Sequence, residues 1–130
     1  MPPTRPRLAR ACWVLVLLYW AAMFGLTHLP TPRLPYVPVT DKTAHFVAYF
    51  LLGAGLYTAV YLRGQRGAGD VAVVVLTTLI AYGAVDEWTQ LLVNRSCERA
   101  DWFADVAGAA TAVAIAATLA PRLTRAADHT

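Results

Sequence analysis

Residues 71–90 read VAVVVLTTLIAYGAVDEWTQ, a run without a charged side chain until Asp86 and Glu87, closed by Gln90. At about 1.5 Å of rise per residue, roughly 20 helical residues cross a hydrocarbon core about 30 Å thick. The stretch therefore reads as a membrane-spanning helix whose polar end is its C-terminal end, with Asp70 as a candidate cap at the other end. Its polar end runs on toward Asn94, so Asp86 falls about six residues before the end of that helix, or roughly 9 Å inside the boundary, too deep for an ordinary surface charge.

Working outward, the residues Arg63, Gly64, Gln65, Arg66 and Gly67 form a turn before this helix. Upstream of the turn, a second apolar helix is expected from Thr40 or Asp41 to about Leu62, through Phe46, Tyr49 and Phe50. It is preceded by Pro30, Pro32, Pro35 and Pro38, each of which removes a backbone donor, so residues 30–38 read as an ordered extended loop at the membrane surface. A first helix is expected over residues 11–29, and a fourth from near Asp101 to Pro121, which cannot donate to a continuing helix. The expected fold class is an all-α membrane protein, a four-transmembrane-helix bundle with both termini cytoplasmic. Its parts are a basic cytoplasmic N-terminus over 1–10, a four-helix membrane domain over 11–120 and a cytoplasmic tail over 121–130.

Composition agrees with that layout. Hydrophobic residues make up 58% of the 130 and charged ones 15%, more apolar surface than a soluble domain of this size can bury. The net charge of +3 is scattered through the loops, so nucleic acid is not an expected partner. Cys12 and Cys97 fall at opposite ends of the layout, which excludes an internal disulfide, and neither belongs to a CxxC or Cys/His cluster. Orientation follows from the basic residues. With the N-terminus inside, Arg5, Arg7, Arg10, Arg63, Arg66, Arg122 and Arg125 are cytoplasmic and Arg33, Lys42, Arg95 and Arg99 are outside, seven against four. The basic start also fits a secretory signal. No small-x-small site follows the apolar run, however, and the other three helices keep their orientation in either case.

Alternating directions bring three polar segments to one membrane face: Asp41, Lys42 and His45 opening the second helix, Asp86, Glu87 and Gln90 closing the third, and Asp101 and Asp105 opening the fourth, with Arg95 and Arg99 in the loop between. Asp41 with His45, Asp86 with Gln90, and Asp101 with Asp105 are i,i+4 pairs that share a helix face. A carboxylate near a bilayer centre costs on the order of 2 to 3 kcal/mol, less toward the edge, so Asp86 should face the bundle and find partners, with Lys42, His45 and Arg95 on offer. Ala104, Gly108, Ala112 and Ala116, four apart on the fourth helix, make a groove for close packing.

The segments DKTAHFVAYFLLG and DEWTQLLVNRSCERADWFADVAGA, about 40 residues apart, together with the four-helix hydropathy resemble the VanZ-like family of bacterial membrane proteins. The residues that carry the likeness are Asp41, Lys42, His45, Phe46 and Tyr49, then Asp86, Glu87, Gln90, Arg95, Asp101, Asp105 and Gly108, within residues 11–120. One departure is the charged stretch SCER, 96–99. The resemblance implies a multi-pass protein of the bacterial cytoplasmic membrane, whose best-known relatives raise resistance to teicoplanin and related lipoglycopeptides. Those drugs act outside that membrane on lipid-linked cell-wall precursor.

Three readings of the polar face stand side by side: a structural ion-pair network that fixes helix register, a ligand pocket, and a catalytic or metal centre. As a pocket, Asp41, Lys42, His45, Tyr49, Asp86, Glu87, Gln90, Arg95, Asp101 and Asp105 would line it, with Lys42 and Arg95 meeting anionic groups. The partners would be membrane lipid and a lipid-linked precursor, an anionic envelope polymer or a lipoglycopeptide. As a membrane-embedded hydrolase or transferase, His45 and Glu87 would be acid and base, or His45, Asp86 and Asp105 would hold a divalent cation. The spacing is far from a metalloprotease motif, so no metal or cofactor is the primary expectation. Asp101 has a simpler reading as an N-cap. Trp88 and Trp102 read as interface residues that could also line a site. A transporter would spread ionisable residues across the membrane, and the cytoplasmic halves of these helices are apolar.

Overall fold

The computed structural model describes residues 6–29, 41–93 and 99–127, with side chains described as far as Arg122. The chain forms α1 (Pro6–Thr27), α2 (Asp41–Tyr61), α3 (Ala68–Gln90), extended by a 3-10 turn at Leu91–Val93, and α4 (Arg99–Ala127). There is no strand among the described residues. Each of the four helices is long and apolar enough to cross a membrane. Their outward faces carry Leu15, Leu18, Leu51, Val73, Val85 and Ile115, while His45, Asp86, Glu87, Asp101 and Asp105 are buried. Apolar side chains outside and ionisable ones inside are what a hydrocarbon solvent favours, because lipid welcomes the first and penalises the second.

Helix boundaries differ from the sequence expectation in three places. α1 begins at Pro6, so Arg7 and Arg10 ride on the helix; proline suits a first turn, where its missing N–H has no acceptor to lose. α3 begins at Ala68 behind Gly67, and Asp70 sits inside the first turn rather than at the cap, where a carboxylate still favours the helix dipole. α4 begins at Arg99, which puts Asp101 in its first turn, and it continues through Pro121 to Ala127. A proline removes the bond its own nitrogen would have donated and crowds the carbonyl four residues earlier, and the helix accommodates both near its end. The proline-rich residues 30–38, Thr40, Arg95 and Cys97 lie outside the described residues; Cys12 is a free, half-buried thiol.

α2 and α4 make the most intimate pair. A β-carbon built on Gly108 would run into the carbonyl oxygen of Phe46, and one on Gly53 would lie 3.3 Å from the Ala109 backbone. The small-residue stripe on α4 thus lets two backbones touch, the association mode that serves where water no longer drives apolar burial. Between α2 and α3, Gly64 turns the chain in the left-handed region at φ 68°, and the Tyr57 hydroxyl donates to the Ala68 carbonyl at 3.2 Å. At the same end the Arg63 guanidinium lies 4.9 Å over the Trp13 ring. α1 contributes Ala9, Val16 and Met23 to the interior, a narrow seam spaced seven residues apart.

Candidate functional site

The polar centre occupies the end of the bundle where α2 and α4 begin and where α1 and α3 finish. Its innermost group is a junction of three helices. His45 Nδ1 from α2 lies 2.8 Å from Asp105 Oδ1 of α4 and 3.8 Å from Glu87 Oε1 of α3. His45 is 8% exposed, Glu87 3% and Asp105 0%. The sequence expectation of an outward-facing patch is therefore only half realised: the residues meet, but beneath the surface.

Asp86 does not join them. It accepts hydrogen bonds from Thr27 Oγ1 at 3.1 Å and Tyr82 Oη at 3.3 Å on one oxygen, and from Gln90 Nε2 at 3.3 Å on the other. His28 Nδ1 is 3.9 Å away. The expected pairing of Asp86 with Lys42 or His45 is replaced by these neutral donors, because adjacent helical residues point about 100° apart. Asp86 faces α1, and Glu87 faces α2 and α4. For the same reason the grouping of His45, Asp86 and Asp105 around a cation gives way to His45, Glu87 and Asp105, whose ligand atoms all lie within 4.8 Å of one another.

Nearer the surface, Lys42 Nζ lies 3.3 Å from Asp101 Oδ1; the lysine side chain is 52% exposed and the aspartate buried. Exposed Asp41 shares a second group with His45 and Asp101, again within 4.8 Å. Asp101 is thus a paired, buried carboxylate as well as a member of the first turn of α4.

One turn deeper than His45 and Glu87 stand Tyr49 and Gly83. A β-carbon built on Gly83 would lie 3.5 Å from Tyr49 Oη, 3.5 Å from Asp105 Oδ2 and 3.3 Å from Trp102 Cδ1. Neither Tyr49 Oη nor Asp105 Oδ2 has a hydrogen-bond partner among the described residues, although both are buried. Tyr82 stacks beside Tyr49 at 6.0 Å and meets Trp20 of α1 edge-on at 4.9 Å. Trp102 Nε1 donates to the Ile80 carbonyl at 3.2 Å, which fixes its indole against this notch, whereas Trp88 is largely exposed.

Sequence reasoning missed the contribution of α1. His28 Nδ1 lies 2.8 Å from the Phe24 carbonyl and its Nε2 lies 2.9 Å from Thr89 Oγ1, while Thr27 reaches Asp86. The signal was present: antiparallel neighbours put the end of the first helix at the same face as the start of the second, so Thr27 and His28 belonged among the candidates.

Comparison with family models, with curated proteins and with solved structures returned no match. Fold and site together define a four-helix bundle of membrane type with an ionisable centre sunk into one end.

Proposed function

We propose that the chain is a VanZ-like protein of the bacterial cytoplasmic membrane, with both termini cytoplasmic and the polar centre on the extracytoplasmic side. There it binds the anionic head group of a lipid-linked cell-wall precursor, an anionic envelope polymer or a lipoglycopeptide, with a role in teicoplanin-type resistance. The observation that carries the reading is the position of Lys42 at the rim, half exposed, over a buried layer of carboxylates drawn from α3 and α4. Asp101 orients the ammonium at the rim, where a lysine meets anionic groups by charge-assisted hydrogen bonds. The excess of basic residues on the other side supports the orientation.

Thermal unfolding of the purified protein tests this with precursor lipid, teichoic acid and lipoglycopeptide in turn. A shift with one of them that is lost in Lys42→Ala is expected; no shift with any of the three rejects the reading. Reporter fusions at the two ends test the orientation, and an extracytoplasmic terminus rejects it.

A second reading is a membrane-embedded hydrolase or transferase acting on a lipid-linked envelope substrate. It is favoured by the 2.8 Å contact of His45 with Asp105, an imidazole oriented by a carboxylate with Glu87 close by. Turnover of such a substrate, abolished in His45→Ala while the variant still accumulates, is the outcome this reading requires.

A further inference from the structure

We infer that His45, Glu87 and Asp105 bind a single divalent transition-metal ion at the buried junction of α2, α3 and α4. The inference stands apart from what the rim binds, since it rests only on the inner layer.

Three rigid helices each supply one ligand atom, so the set is preorganised by the fold rather than by a loop. Metal–ligand bonds of about 2.0–2.2 Å place neighbouring ligand atoms roughly 3 to 3.5 Å apart in tetrahedral or octahedral geometry. The separations of 2.8 Å and 3.8 Å from His45 Nδ1 bracket that range, the third pair lies within 4.8 Å, and side-chain rotation closes the set.

The second observation comes from the layer beneath. Tyr49 Oη, 1% exposed, has no hydrogen-bond partner among the described residues, and it is aimed at the same notch beside Gly83 as the unpartnered oxygen of Asp105. Buried polar atoms left without a partner oppose folding, so a group that satisfies both is favoured. Gly83 places no side chain against either atom, and an ion held by Asp105, with the water it carries, supplies both atoms with a partner.

The donor set selects the ion. One imidazole and two carboxylates suit manganese, iron(II) or zinc; calcium and magnesium prefer oxygen alone, and copper(I) prefers sulfur. The inner trio is favoured over Asp41, His45 and Asp101 because Asp41 is exposed and Asp101 already holds the Lys42 ammonium. The competitor is a proton: an imidazolium at His45 would bridge the two carboxylates without any metal.

The deciding experiment uses the full chain in detergent, stripped with a chelator and titrated with Zn2+ and with Mn2+. About one equivalent is expected to bind and to raise the Tm. Spin-echo modulation of bound Mn2+ is expected to show one directly coordinated histidine nitrogen. Glu87→Gln and Asp105→Asn should weaken binding at least tenfold, and Tyr49→Phe by about tenfold, the size typical of losing a group that supports a ligand. Absence of stoichiometric binding, a bound ion without nitrogen coupling, or affinity unchanged in folded Glu87→Gln and Asp105→Asn overturns the inference. Should those variants not accumulate, the nitrogen coupling of the unmodified protein decides the matter by itself.

Discussion

His45 Nδ1 and Asp105 Oδ1 meet at 2.8 Å between α2 and α4, about one helical turn from the point where Gly108 lets the same two helices touch backbone to backbone. Side-chain hydrogen bonding and close packing thus reinforce one crossing.

Removing either partner leaves the other buried without its complement, which costs about 3 kcal/mol or more. A double-mutant cycle on His45→Ala and Asp105→Ala, read by unfolding in mixed micelles, should therefore return a coupling above about 1 kcal/mol. Lys42→Ala, by contrast, removes a half-exposed ammonium and leaves Asp101 in the first turn of α4, where free backbone donors and the helix dipole still favour a carboxylate, so it should cost less, about 1–2 kcal/mol. Equal costs for the two pairs would contradict the assignment of inner and outer layers.

Gly108→Ala should destabilise by about 1–3 kcal/mol, because the added methyl meets the Phe46 main chain, which cannot rotate away as a side chain could. Gly25→Ala is the matched control. Nothing lies within 4 Å of a β-carbon there, so the change should be neutral or stabilise by up to about 1 kcal/mol through helix propensity. Denaturation of both variants in the same micelles checks the contrast.

Asp86→Asn keeps the shape of the side chain but turns one acceptor into a donor, facing the donors Thr27, Tyr82 and Gln90. A loss of about 1–3 kcal/mol is expected in the same unfolding measurement. Thr27→Val removes only one of those bonds and should cost about 0.6–1.7 kcal/mol, the range of hydrogen bonds between membrane helices. A larger cost for Thr27→Val than for Asp86→Asn would overturn this account of the network.

The fold was legible because the apolar runs in this chain are long and the breaks between them are proline, glycine and charge. Residues 71–90 alone announced both a span and the end that carries its ionisable groups. The helical i,i+4 rule also placed Asp86 beside Gln90 correctly, as their 3.3 Å hydrogen bond shows. What the pattern could not supply was rotation. Asp86 and Glu87 are neighbours in sequence and of one chemical type, yet the first serves α1 and the second the α2–α4 junction, a choice made by packing around the whole bundle. Pro121 misled for a related reason: local propensity stops a helix there, whereas α4 tolerates the missing bond and runs on to Ala127. Arg95, counted among the candidate ligands, lies outside the described residues.

Ala9, Val16 and Met23 are the fully buried residues of α1, one for every two turns in a single file, flanked by the half-buried Cys12, Trp13, Tyr19 and Trp20. Seven-residue spacing falls short of two full turns by about 20°, so α1 must lean left-handed across its neighbours to keep that file inward. With three fully buried residues against eight in α2, α1 is the part of the assembly that separates at the lowest load. Pulled from its N-terminus in a force spectrometer, the protein should yield α1 first, and the glycine-locked pair of α2 and α4 should be the last to part.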